Sequence, residues 1–175
     1  MTPLSTYELD DLHEAVLDRI EEKLLPALSK ANRTGELSQL IGLLGMSDLL
    51  GVTGEPALKP TKVIVLGNSM VSEGKLRSKV RKHGLDSREF EFVLGYNELK
   101  HYNFDKLRSS FSYRAILVGP MPHSTPGKGD ASSFIARVES QPECYPPLIK
   151  LEDSTGLKIT NNSFARALDV LSSMG

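Results

Sequence analysis

The sequence contains no tryptophan, a single cysteine and no long apolar run. Its 175 residues include only Cys144, which has no partner for an internal disulfide and no metal-ligand spacing around it. No segment approaches the roughly 18 uninterrupted apolar residues of a membrane span. The first residues are acidic and polar, unlike a secretory signal. We therefore expect no metal site, no membrane contact and a cytoplasmic location.

An excess of charge of one sign is also missing. The chain has 21 lysines and arginines against 22 aspartates and glutamates, a net charge of -1. Without a basic excess, nucleic acid is not an expected partner. A basic run, Lys75, Lys79, Arg81 and Lys82, lacks interleaved aromatic residues and is typical of a solvated helix face.

Residues 1–50 have the pattern of a helical hairpin. Ser5 and Glu8 have the spacing of a capping box, and an apolar stripe follows at three- and four-residue steps: Leu9, Leu12, Val16, Ile20 and Leu24. Pro26 is expected to end or kink this helix. A second helical segment is predicted over residues 37–49, although Gly42 and Gly45 weaken it. The stripes exceed what a small sheet domain can cover, which predicts a homodimer through these helices.

Residues 51–61 are rich in Gly, Pro, Thr and Glu and are interpreted as a linker. From residue 62 to 175, short apolar runs alternate with helical patterns, which is typical of parallel strands joined by crossover helices. Four strands are predicted, at residues 63–67, 90–95, 115–119 and 148–152. The fold class is therefore α/β, with a small Rossmann- or flavodoxin-like parallel sheet between two helical layers.

Right-handed crossovers favour the strand order 2-1-3-4 in such a sheet. Ligands of open parallel sheets bind beyond the carboxyl ends of the strands, where the winding reverses. Glycine at a strand exit lets a ligand approach main-chain N–H groups. The predicted ligand-binding residues therefore lie in the loops after the strands: Gly67, Asn68, Ser69, Gly95, Tyr96, Gly119, Met121, His123 and Ser154.

His123 is the most suggestive of these residues, because a loop histidine at the crevice donates to phosphate or transfers protons near neutral pH. Ser69 is a candidate nucleophile beside it. A third group that orients the histidine is not identifiable from spacing, so no catalytic residue is assigned. With a protonated His123 and a helix starting after Ser72, the crevice is predicted to tolerate anions and to bind them more weakly as the pH rises.

Known cofactor motifs do not match. The segment after the first strand lacks the second and third glycines of the dinucleotide fingerprint. Gly127-Lys128-Gly129 lacks the first glycine of a phosphate-binding loop, and Asp130 stands where Ser or Thr is needed. We expect no bound cofactor.

Three segments carry a family resemblance: VIVLGNS, AILVGPMPH, and PPLIKLEDSTG followed by NNSFARAL. Over about residues 62–171 the chain resembles a bacterial family of uncharacterised small Rossmann-like domains that follow an N-terminal helical or coiled-coil region. The family pattern matches Gly67 after the first strand, His123 after the third, and a terminal set of Ser154, Gly156, Arg166, Ala167 and Leu168. The chain departs from it at Asn68-Ser69, where the family has more glycine, and in the longer loop after His123.

Three classes of function remain open. The favoured one is a small-ligand-binding or regulatory module for an anionic or nucleotide-like ligand at the carboxyl edge of the sheet. An enzyme, a hydrolase or transferase of a nucleotide or phosphorylated substrate, requires Ser69, His123 and a carboxylate such as Asp130 or Asp153 within hydrogen-bond reach. A structural scaffold requires the loop ends to pack shut.

Overall fold

The computed structural model of the chain describes residues 3–53, 60–122 and 131–174. The chain forms two compact units, residues 1–56 and 57–175. Within the described ranges, every helix is too short or too polar to cross a membrane.

The N-terminal unit contains three helices and a terminal 3₁₀ turn: α1 (Thr6–Leu17), α2 (Ile20–Thr34), α3 (Leu37–Leu43) and the turn Ser47–Thr53. The predicted capping box begins α1, because the Glu8 carboxylate accepts from the Ser5 N–H at 2.8 Å and Ser5 Oγ accepts from the Glu8 N–H at 3.4 Å. Two of the four N–H groups that a helix start leaves unpaired are satisfied in this way.

Two predicted helix boundaries in this unit are wrong. The first helix does not end at Pro26: it breaks at Asp18 and Arg19, and α2 continues through Pro26 to Thr34. Pro26 is buried, and this burial offsets part of the hydrogen bond that proline removes from the helix. The second segment stops at Leu43 rather than residue 49, because Gly45 adopts a φ of +71°, which is incompatible with continuing a right-handed helix.

The second unit contains a four-stranded sheet of β1 (Lys62–Leu66), β2 (Phe90–Val93), β3 (Tyr113–Val118) and β4 (Leu148–Lys150). All three pairings are parallel and the order is β2-β1-β3-β4. The predicted α/β class and the predicted strand order 2-1-3-4 are confirmed. Helices α4 (Glu73–Lys82), α5 (Tyr96–His101), α6 (Ala131–Ser140) and α7 (Asn161–Ser173) connect or follow the strands.

Each face of the sheet carries its own apolar layer. Alternate residues of β1 point to opposite faces, so Val63 and Val65 pack with α4 and α7, while Ile64 and Leu66 pack on the other face in the layer that contains Phe134 of α6. These four side chains have no exposed surface. Burying an aliphatic side chain of this size stabilises a fold by about 1.5–3 kcal/mol, so these layers hold the strand ends in place.

The fourth strand is shorter than the predicted 148–152. It ends at Lys150, and a small antiparallel hairpin follows, in which β5 (Glu152–Asp153) pairs with β6 (Gly156–Leu157). Gly156 has a φ of +117°, which a glycine adopts without steric cost. This hairpin stands between β4 and α7 along the chain.

Candidate functional site

The loops after β1 and β3 meet through two glycines. A Cβ on Gly67, which has a φ of +147°, would lie only 2.9 Å from the Cα of Gly119. The Gly119 N–H donates to Leu66 O and the Asn68 N–H donates to Pro120 O, both at 2.7 Å. The predicted juxtaposition of the loops after the first and third strands is therefore present as a direct backbone contact.

The side chain of Ile159 fills the space on the other side of Gly119. A Cβ on Gly119 would overlap Ile159 Cγ1 and lie 2.9 Å from its Cδ1. Backbone and an aliphatic side chain thus close the crevice at Gly67 and Gly119. These two glycines serve close packing at this point.

Ser69 uses its hydroxyl within its own loop. Its Oγ donates to Val71 O at 2.9 Å and accepts from the Val71 N–H at 3.0 Å. Asn68 is exposed, whereas Met121 packs against the apolar layer that contains Phe134. His123 and Asp130 lie outside the described residues, so the anion cradle around His123 and its pH dependence stay a prediction.

The remaining predicted residues lie at the two outer strands and are not brought together. Gly95 and Tyr96 follow β2, where the Gly95 N–H donates to the Glu98 carboxylate at 3.4 Å. Ser154 lies in the turn between β5 and β6, beyond β4. Because β2 and β4 form opposite edges of the sheet, a ligand of modest size cannot contact both groups.

A cavity of about 320 Å³ lies at the carboxyl end of β4, between this edge strand, the β5–β6 hairpin and α7. The residues that line it share this one corner of the sheet, and they are Ile149, Lys150, Glu152, Asp153, Ser163, Arg166, Ala167 and Val170. Its apolar part continues the layer between the sheet and α7, since Ile149 packs against that layer. The cavity therefore lies where the apolar layer between the sheet and α7 reaches the protein surface, and charged groups surround it.

The charged groups around the cavity differ in how they are paired. Lys150 forms an ion pair with Glu139 at 2.7 Å, and this hydrogen bond raises the pKa of the lysine. Asp153 accepts from the Thr155 hydroxyl at 2.6 Å and from the Thr155 N–H at 2.8 Å, which lowers the pKa of its carboxyl group. Arg166 instead donates from Nη2 to the backbone oxygen of Glu152 at 2.6 Å, and no carboxylate within the described ranges pairs with it.

Sequence reasoning did not assign the cavity residues on α7 to a site. Ser163 lies three and four residues before Arg166 and Ala167, and Val170 lies four and three residues after them, so the four occupy one helix face, a signal present in the sequence. Arg166 and Ala167 also belong to the segment that carries the family resemblance. What the sequence does not show is that this face stands opposite the edge of β4.

A second polar cluster lies at the amino ends of the strands. Glu91 accepts from Lys62 Nζ at 2.8 Å and from the Tyr113 hydroxyl. Burial alone would raise the pKa of Glu91, but these two hydrogen bonds outweigh it and lower the pKa. Burial, together with the bond to Glu91, raises the pKa of the Tyr113 phenol. The cluster lies at the edge of the sheet opposite the cavity.

In the part of the chain that the structure describes, histidine, cysteine, aspartate and glutamate side chains form no group of three or more that could hold a metal ion. Comparison of the chain with protein-family models, with curated proteins and with solved structures finds no match. Membership of the bacterial Rossmann-like family therefore stays a prediction from the sequence.

Proposed function

We propose that this chain is a small-molecule-binding module whose ligand occupies the cavity beyond β4 and carries an anionic group that Arg166 binds. The observation that carries the proposal is the cavity itself, at the carboxyl edge of a parallel sheet and lined by a cation that lacks a carboxylate partner among the described residues.

The size and lining of the cavity suit a small ligand. Its volume of about 320 Å³ lies at the lower end of the roughly 300–1,000 Å³ that ligand sites occupy. Ile149, Ala167 and Val170 offer apolar contact for an uncharged part of the ligand. Val170 is 45% exposed, which leaves apolar surface for a ligand to cover. An apolar floor with a few convergent polar groups is typical of such sites.

The polar groups favour a ligand with an anion at one end and hydrogen-bond donors at the other. A guanidinium group has five N–H donors in a planar fork that matches phosphate and carboxylate oxygens, and Arg166 uses one of them on Glu152 O. The carboxylate of Glu152 accepts hydrogen bonds from amino groups, such as those of a nucleotide base. A nucleotide-like molecule meets both requirements.

Isothermal titration with adenosine monophosphate and glucose 6-phosphate, and with uncharged adenosine and glucose as controls, tests this site. The phosphorylated probes are expected to bind more tightly than the uncharged ones. Arg166→Gln should weaken phosphate binding about tenfold or more, because a charge-assisted bidentate contact is lost. Arg137→Gln is the matched control, since Arg137, on α6, pairs with Asp105 and does not line the cavity.

Two further variants separate this cavity from the predicted crevice. Ser69→Ala and His123→Ala should leave the affinity unchanged if the ligand lies beyond β4. If these variants abolish binding while Arg166→Gln has no effect, the ligand lies at the ends of β1 and β3, and the proposed cavity is wrong. Absence of binding by all four probes would favour the scaffold alternative instead.

The enzyme alternative has less support from the described residues. The Ser69 hydroxyl is bonded to its own loop, and the Asp153 carboxylate to Thr155. The arrangement of Ser69, His123 and a carboxylate that an enzyme requires stays a prediction, since His123 and Asp130 lie outside the described residues.

A further inference from the structure

Exposed apolar side chains are concentrated in the N-terminal unit. Among the described residues, twelve of the seventeen large apolar side chains that are exposed belong to it: Leu4, Tyr7, Leu9, Leu12, Val16, Leu17, Leu24, Leu25, Leu43, Leu44, Met46 and Leu49. Single exposed apolar residues are normal on a protein surface, whereas a contiguous set marks an interaction surface.

Helix α1 leaves its apolar stripe exposed. None of its residues is buried, although Leu9, Leu12 and Val16 follow a three- and four-residue spacing that places them on one face. These side chains are 57%, 49% and 44% exposed. Leu24 and Leu25 of α2 are also exposed, at 38% and 57%. An amphipathic helix of this kind gains most of its stability from packing of its apolar face.

The charges on α1 and α2 identify the occupant of this face. The segment 4–18 carries five carboxylates and no lysine or arginine: Glu8, Asp10, Asp11, Glu14 and Asp18. α2 carries three cations, Lys23, Lys30 and Arg33, and two carboxylates, Glu21 and Glu22, both in its first turn. Pairing of α1 with another α1 brings like charges together, whereas pairing of α1 with α2 brings opposite charges together.

We propose that the N-terminal unit is the interface for a second copy of this chain, with α1 of each copy packed against α2 of the other. The arrangement is two-fold symmetric, so both copies bury the same surface, and each acidic α1 meets an α2 whose cations outnumber its carboxylates. Seven of the twelve exposed apolar side chains lie on α1 and α2, which fits within the roughly 20–30 residues that each partner contributes to a standard interface. The partner is a second copy, since a single chain supplies both the apolar stripe and its complementary charge.

Analytical ultracentrifugation of the full chain over a wide concentration range tests the interface. The wild type is expected to be a concentration-dependent dimer. Leu12→Gln should raise the dimer dissociation constant about tenfold or more, because each dimer loses two buried leucines. Ala15→Gln is the matched control: it introduces the same side chain at an exposed position of the same helix, outside the apolar stripe and without removing a charge, so the dissociation constant should change only slightly. Circular dichroism of each variant measures whether α1 keeps its helical content.

The salt dependence tests the pairing of the helices. Dimers that pair α1 with α2 should dissociate more readily as salt concentration rises, because screening weakens attraction between the opposite charges. A dimer that tightens with salt contradicts the proposed pairing. If Leu12→Gln reduces the helical content, Leu25→Gln on α2 serves as the second interface variant. A wild type that is monomeric throughout, or a dimer that neither leucine variant weakens, overturns the proposal.

Discussion

The two units of this chain differ in whether their apolar side chains are buried or exposed. Of the hydrophobic residues that the structure buries, the N-terminal unit contributes Ala31 and Ile41, and the strands and helices of residues 57–175 contribute nearly all of the others. The exposed apolar side chains show the reverse distribution. The sheet unit therefore buries its apolar residues internally, whereas the helical unit leaves its apolar stripe exposed. Interior packing stabilises the sheet unit, and in the proposed dimer association stabilises the helical unit.

The largest expected effect comes from adding one methyl group inside the sheet unit. Gly119→Ala places a Cβ into the side chain of Ile159, and the unfolding free energy should fall by about 3 kcal/mol because packed interiors have no room to relax. Urea denaturation followed by circular dichroism measures the change. In an Ile159→Ala background, Gly119→Ala should lower the unfolding free energy by less than it does in the wild type, because the shorter side chain leaves room for the new Cβ. A wild-type midpoint for Gly119→Ala would contradict the closed contact between the strand ends.

A glycine-to-alanine substitution should have the opposite effect on stability in the helical unit. In Gly42→Ala the new Cβ meets only Ser47 Oγ, at an ordinary 3.7 Å, within the helix α3. Alanine is the better helix former by about 1 kcal/mol, so the helical content and thermal stability of this unit should rise. Circular dichroism during thermal unfolding measures both. If Gly42→Ala destabilises the chain as much as Gly119→Ala, the contrast between a packed unit and an open one is wrong.

Tyr145 is a buried residue of the sheet unit whose polar group is unpaired. Its side chain is 1% exposed, and its hydroxyl has no hydrogen-bond partner among the residues that the structure describes. An unpaired buried hydroxyl costs stability, so Tyr145→Phe should leave the unfolding free energy unchanged or raise it by up to about 1 kcal/mol. Urea denaturation measures this change. A loss of more than that amount would show that the hydroxyl is paired in solution.

The smallest expected change in the unfolding free energy occurs only at alkaline pH. Burial, together with the hydrogen bond to Glu91, raises the pKa of Tyr113 above its ordinary value of 10.0. The folded chain therefore retains this proton longer than the unfolded chain, and the resulting stabilisation is complete below pH 10 and declines as the pH rises toward the folded pKa. Tyr113→Phe should remove this decline. The unfolding free energies of the two proteins, compared by urea denaturation across alkaline pH, measure it, and parallel pH profiles would contradict it.

The sequence by itself determined the features that depend on neighbouring residues. The capping box of Ser5 and Glu8 needs a spacing of three, and the four sheet strands follow from short apolar runs between helical patterns. The strand order was also predictable, since right-handed crossovers leave few ways to wind four units. The helix boundaries near Pro26 and Gly45 were not predictable in this way. Pro26 is buried and remains within α2, whereas Gly45 adopts a left-handed conformation that ends α3.

Only the tertiary structure decided which candidate residues meet. It brought Gly67 and Gly119 into contact and filled their surroundings with Ile159, a residue forty positions further along the chain. It also placed Arg166 beside Glu152 and left the cavity between α7 and the edge of β4. The spacing of Ser163, Arg166 and Val170 places them on one helix face, but the sequence does not reveal what that face meets. The physical reason is that such contacts depend on how two elements that are distant in sequence pack against each other. A local sequence pattern does not specify which distant element a given face will contact.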